Sequence, residues 1–219
     1  MKSKILVSIL LILAAASCQN KIDLSTEKFD KTKFKETIEQ AFVDSSNKEN
    51  KDILLSFINT NLEGKLPVAH LDFDIKGSLE NPKSTLTYGD ILNKYAKPYE
   101  NFNKKVNGVI DIKLIKFTKP QGLFNVSDAE LEIQNKGDVD IVEGIFGLDV
   151  YNKSGERILS LTGFMPNKTL PKGSKTKIVI SNDQFEKLFK MDFNILTATF
   201  SVSKLSFQDG STLELPSRN

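Results

Sequence analysis

Apolar positions follow three rhythms along this chain, and each predicts a different kind of element. Ile5 to Ala14 is an apolar run broken only by Ser8, with Lys2 and Lys4 ahead of it. From about residue 30 to 108 the spacing is mostly three to four, the period of an amphipathic helix. From Val109 to about residue 215 it alternates, which is strand spacing.

In the helical part, Phe34, Ile38, Ala41 and Phe42 share one face, with Lys33, Lys35, Glu36 and Glu39 opposite. Asp30 reads as the N-cap, because Phe29 and Phe34 sit at the spacing of a hydrophobic staple. Asp44-Ser45-Ser46-Asn47 ends this helix and can cap a second one. There Ile53, Leu54, Phe57 and Ile58 make the stripe and Gly64 the stop. Between Pro67 and Gly77 the period drops to two. Leu71, Phe73 and Ile75 alternate with His70, Asp72, Asp74 and Lys76, so a strand is expected. Thr87 and Asp90 form an acidic variant of the capping box for a third helix carrying Tyr88, Ile91, Leu92 and Tyr95. Pro98 should interrupt it, with Tyr99, Phe102 and Val106 prolonging helical structure to Gly108.

The alternating part predicts about seven short antiparallel strands. Ile110, Ile112 and Leu114 change phase at Ile115 and Phe117, as a β-bulge would require. Ala129, Leu131 and Ile133 form the next strand. Asn135-Lys136-Gly137-Asp138 is turn chemistry before Phe146, Leu148 and Val150, with Gly144 thinning their face. Asn152-Lys153-Ser154-Gly155 is a second turn, followed by Ile158 to Leu161 and later Thr176, Ile178 and Ile180. Ser181 and Gln184 read as a capping box for a short helix with Phe185, Leu188 and Phe189. Leu196, Ala198, Phe200 and Val202 return to period two, and Asp209-Gly210 marks a hairpin. The expected fold is α+β, an N-terminal amphipathic helical region followed by an antiparallel immunoglobulin-like β-sandwich.

Composition narrows the surroundings. Removing Lys2 and Lys4 from the 30 basic residues leaves a number equal to the 28 acidic ones. A balanced surface argues against nucleic acid and against electrostatic attraction to anionic lipid. Cys18 is the one cysteine, so no disulfide is expected within the chain. Fifteen phenylalanines and no tryptophan furnish the core.

Cys18 follows Ala15-Ala16-Ser17 at the end of the apolar run, which is well short of the roughly 20 residues a membrane span needs. The stretch Ala15 to Cys18 resembles the bacterial lipobox, with Ala15 where leucine is commonest. The resemblance implies a signal peptide over residues 1–17, cut after Ser17, and a thioether-linked diacylglycerol, with further acylation such as palmitate, on Cys18. The membrane would then be a partner through that lipid. Residues 18–29 would be a lipidated tether, and Gln19 after the cysteine would favour the outer membrane, facing the periplasm, in a Gram-negative host.

Further along, Ala129 to Asp138 and Leu148-Asp149-Val150-Tyr151-Asn152-Lys153-Ser154-Gly155 resemble the FxLYD-type domain of bacterial envelope proteins. Leu148, Val150 and Asn152 depart from that pattern, while Tyr151 and Gly155 match it. The resemblance implies an immunoglobulin-like fold over residues 109–215, after a mainly helical region at 30–108, and it brings no catalytic residue.

Candidate chemistry is sparse. His70 is the sole histidine, and with Asp72 and Asp74 it would share one face of the expected strand, three ligands that could hold a divalent ion. Asp128, Glu130 and Glu132 make a second acidic row. The plainer expectation for both rows is a solvent face. No nucleophile elbow, phosphate loop or zinc-type cysteine pair occurs in the sequence. The function expected is a non-catalytic binding module, lipid-anchored in the cell envelope, with no cofactor and a protein partner met through strand edges or loops. The alternative is a metal-dependent or hydrolytic envelope enzyme using His70, Asp72 and Asp74.

Overall fold

The computed structural model describes residues 22–43, 47–67, 70, 73–121, 126–164, 166, 168–189 and 191–216. The expected signal peptide over residues 1–17 and Cys18 lie outside the described residues.

The helical part opens with α1 (Phe34–Ala41) and α2 (Lys48–Leu62). Phe34, Ile38 and Ala41 are buried on α1, and Leu54, Phe57 and Ile58 on α2. Asp30 does not cap α1 directly. Its carboxylate accepts the Thr32 N–H at 2.7 Å and closes a turn through Lys33 before the helix begins. The staple contact survives, with the Phe29 and Phe34 rings 6.2 Å apart. Gly64, at φ +65°, ends α2 in the left-handed conformation that glycine adopts without strain.

Among the described residues between Pro67 and Gly77 the expected strand does not form. His70 and Phe73 lie in 3₁₀ turns, and Lys76–Glu80 is a short helix, α3. Side chains take up two of the backbone donors here: Ile75 N–H donates to Asn61 Oδ1 and Lys76 N–H to Asp74 Oδ1, both at 2.9 Å. Alternation of Phe73 and Ile75 is compatible with tight turns when both are drawn into the same apolar cluster, as they are.

The Thr87–Asp90 capping box forms as expected, with Asp90 N–H to Thr87 Oγ1 at 3.0 Å and Thr87 N–H to Asp90 Oδ2 at 3.2 Å. It starts a continuous helical stretch: α4 (Tyr88–Asp90), a π-helical turn (Ile91–Ala96) and α5 (Lys97–Val109). Pro98 therefore does not break the helix. A proline lacks the N–H its turn would use and crowds the carbonyl four residues back. The wider π turn lies just where that strain falls, and Pro98 enters the first turn of α5.

Among the described residues seven strands follow: β1 (Ile110–Gln121), β2 (Val126–Asn135), β3 (Ile141–Tyr151), β4 (Arg157–Phe164), β5 (Lys175–Asn182), β6 (Thr197–Phe207) and β7 (Thr212–Glu214). A short α6 (Phe185–Phe189) and a 3₁₀ turn (Phe193–Ile195) join β5 to β6. They make two antiparallel sheets, ordered β1-β2-β5 and β4-β3-β6-β7. The architecture is α+β. The bulge falls between Leu114 and Lys116, where the phase of apolar residues changes. Ser181 does not cap α6: its hydroxyl donates to Asp128, and Asn182 Oδ1 accepts the Gln184 N–H instead.

Both sheets contribute to one apolar core. Leu131 and Ile178 pair across β2 and β5, while Leu148 pairs with Leu161 and Phe200 across β3, β4 and β6. Gly144 leaves room for the Phe146 ring, since a Cβ there would lie 2.4 Å from it. The helical part is not separate from this core, because Phe102 and Val106 of α5 enter it. Leu215 packs against both apolar clusters.

Candidate functional site at the junction of helices and sheet

The helical part meets the sheets where α5 packs against β1 and β7, and His70 pins it to β6. His70 is only 2% exposed, and its Nε2 lies 2.9 Å from the Val202 carbonyl oxygen on β6. A carbonyl only accepts, so Nε2 carries the hydrogen and donates. The ring stands edge-on to Tyr99 at 5.4 Å and to Phe102 at 6.1 Å. β7 is too short to cover all of β6: Leu215 N–H reaches the Ser203 carbonyl, and the next carbonyl, at Val202, is met by His70. Burial pushes the His70 pKa down, opposed by the Val202 hydrogen bond and by the negative charge of Asp149. Its Nδ1 is buried with no hydrogen-bond partner among the described residues.

This placement corrects the reading of His70 on a solvent-exposed strand face. Asp74 is exposed and engaged with the Lys76 backbone, and Asp72 lies outside the described residues. His70 and Asp74 are not brought together, and no group of three metal-ligating side chains occurs among the described residues. The second acidic row is a charge-paired surface. Glu130 meets Lys116 at 3.3 Å and Lys177 at 3.2 Å, Glu132 meets Lys175 at 3.2 Å, and Asp128 accepts from Ser181. The two lysines hold the Glu130 carboxyl below its ordinary range.

Beside His70 the sheet carries a buried carboxylate that the alternation pattern did not single out. Asp149, 3% exposed, accepts from Ser160 Oγ at 2.5 Å and lies 3.8 Å from Arg157 Nη1. The same Nη1 donates to the Leu66 carbonyl at 3.4 Å, so Arg157 ties the end of the helical segment to β3. Asp149 sits between Leu148 and Val150 and so points away from the inter-sheet core.

Two openings flank this junction and share Pro67 and Tyr99. The smaller, about 360 Å³, lies between His70, Asn103, Ser201 and the start of β1. The larger is a groove of about 770 Å³ between Tyr99, the Tyr151–Gly155 turn and the start of β6. Its walls carry Tyr99, Tyr151 and Ile195, with Lys65 and Lys153 among them and no carboxylate. Lys65 also reaches Glu63 at 2.8 Å. Burial pushes the Tyr99 phenol above its ordinary range, so it stays neutral. The turn is rigid for local reasons: Asn152 Oδ1 accepts from Ser154 and Glu156, and Gly155 takes φ +79°. Asn135 plays the same kind of part at the end of β2. Its side chain bridges the Val139 and Leu170 carbonyls and accepts the Gly137 N–H.

No protein-family model matches the chain, and no curated protein matches its sequence. Two solved structures share slight likeness. One is an X-ray structure of the Northeast Structural Genomics Consortium target SoR45. It is 9% identical with a TM-score of 0.29, covering 48% of this chain and 79% of the other. The second is the Salmonella enterica trimeric lipoprotein SadB, 13% identical with a TM-score of 0.29, covering 79% of this chain and 94% of the other. Likeness at this level assigns nothing to the present chain. Among the described residues no helix is long and apolar enough to cross a membrane.

Proposed function

We propose that this protein is a lipid-anchored component of the bacterial cell envelope that acts by binding another envelope protein and performs no covalent chemistry. The anchor is the lipid on Cys18, and the β-region is an immunoglobulin-like sandwich of the FxLYD type whose motif residues serve turns. The groove between Tyr99 and the Tyr151–Gly155 turn carries the binding reading. It lies where two structural parts meet, a common place for ligand sites. Aromatic rings give large contact area for little lost freedom, and the lysines favour a partner segment bearing acidic groups. His70 supports the same reading, because its Nε2 is already committed to Val202.

A photo-reactive residue at position 151 tests this in intact cells, with one at position 177 on the charge-paired sheet as control. Capture of a defined partner from 151 and not from 177, weakened by Lys153→Glu, is expected. Equal capture from both positions, or none from 151, contradicts the groove as the binding surface.

A further inference from the structure

The anchor's leash is shorter than the sequence indicates. The tether expected over residues 18–29 would let the helices stand about 30 Å from the bilayer if extended through Thr26. In the structure that tether is already seated by Asp23. The Asp23 carboxylate and carbonyl close a turn onto Ser25, Thr26 and Glu27, with distances of 2.7–3.2 Å. The turn then docks on the entrance to α4. Gly89 N–H donates to the Leu24 carbonyl at 2.7 Å, Tyr88 N–H to Glu27 at 3.1 Å, and Phe29 N–H to Leu86 at 2.9 Å. Lys28 and Thr87 form a β-bridge, and Leu24 packs against the helical cluster.

Gly89 makes the seat possible. A Cβ there would lie 2.9 Å from Ser25 Cα and 3.0 Å from the Leu24 carbonyl oxygen. Backbone atoms cannot give way as the end of a flexible side chain can, so any larger residue must push the segment off. What remains between Cys18 and Ile22 is four Cα steps, about 14 Å at most. Roughly half of that is spent crossing the headgroup zone, which is about 5–8 Å thick on each side of the hydrocarbon.

We propose that this seat moors the helical part against the lipid surface, with the Asp23–Thr26 turn and the 81–87 loop at the membrane side. The inference rests on the lipid-anchored reading above. The mooring is geometric, since the acidic and basic residues beyond Cys18 balance, and it should hold equally on uncharged bilayers. Its consequence is reach: partners must be met close to the membrane.

The test uses acylated protein extracted from cell membranes and reconstituted into phosphatidylcholine vesicles carrying an acceptor dye on lipid. Cys18 is the sole native cysteine, so once acylated it leaves an introduced thiol as the one labelling site. A donor dye at Lys83→Cys, exposed on the seating loop, is compared with one at Val179→Cys, exposed on β5, which packs on β2 and α6. Transfer from position 83 should be several-fold more efficient than from 179. It should fall when about a dozen Gly/Ser residues are inserted after Asn20, a change that leaves the seat intact. Gly89→Val should lower it as well. Equal transfer from the two positions, or none lost on insertion, overturns the mooring while leaving the anchor standing. Absence of acyl mass on Cys18 overturns the anchored reading and the mooring with it.

Discussion

The His70 imidazole closes on the Val202 carbonyl across 132 positions of sequence. One hydrogen bond thereby joins the segment before α3 to an uncovered stretch of β6. The two apolar clusters meet around it, with Tyr99 from one and Phe102 from the other.

Replacing His70 should therefore cost stability. His70→Phe keeps an aromatic ring but leaves the Val202 carbonyl unpaired and buried, a loss of about 1–3 kcal/mol. His70→Ala adds a cavity and should cost about 2–5 kcal/mol. Urea unfolding midpoints of the two variants check both. A midpoint unchanged in either would mean that His70 does not pin the junction.

The same residue sets a pH dependence. Burial depresses the folded-state pKa of His70 below the ordinary value of about 6.5. Between those two values the unfolded chain binds more protons than the folded one. The contribution is fully present above about pH 6.5 and declines as pH falls below it, until the folded imidazole itself protonates. Asp149 and Tyr99 are the other titratable groups facing the ring. Stability measured between about pH 7.5 and about pH 5.5 should fall more steeply in the wild type than in His70→Phe.

Asp149→Ala removes the acceptor for Ser160 and the counter-charge of Arg157. The Ser160 bond is short and its acceptor is buried, so a loss of about 1.5–3 kcal/mol is expected. Asp149→Asn keeps an oxygen for Ser160 and should lose less. Thermal unfolding of the pair decides it, and equal losses would assign the effect to charge alone.

Gly144→Ala places a methyl 2.4 Å from the Phe146 ring and 3.2 Å from Leu205. The ring must move, and it stacks on Phe164 at 5.7 Å. Overpacking of this kind costs about 1–3 kcal/mol. Gly144→Ala with Phe146→Leu should recover part of it, as measured by denaturant midpoints.

Local chemistry made much of the fold legible. The Thr87–Asp90 box, the Gly64 stop, the bulge after Leu114 and the Asp209-Gly210 hairpin each depend on residues within a few positions. All four appear where the sequence places them. What stayed hidden depends on distant partners. Alternation around Phe73 reads as a strand until Asn61, from α2, takes the Ile75 N–H. Asp149 gains its partners Ser160 and Arg157 only when β4 pairs with β3, and Tyr99 and Tyr151 become groove walls only when helix and sheet meet. Phe102 and Val106 join the core of the β-region for the same reason.

The anchor is the premise on which the envelope reading and the mooring both stand, and it can be read from one peptide. The protein is extracted from membranes of cells grown with a tagged fatty acid, digested, and its amino-terminal peptide weighed. The account predicts a chain beginning at Cys18 with a diacylglyceryl thioether and the fatty-acid tag, and a Cys18→Ala variant with neither cut nor label. A chain that keeps residues 1–17, or a Cys18 peptide at its unmodified mass, would contradict it.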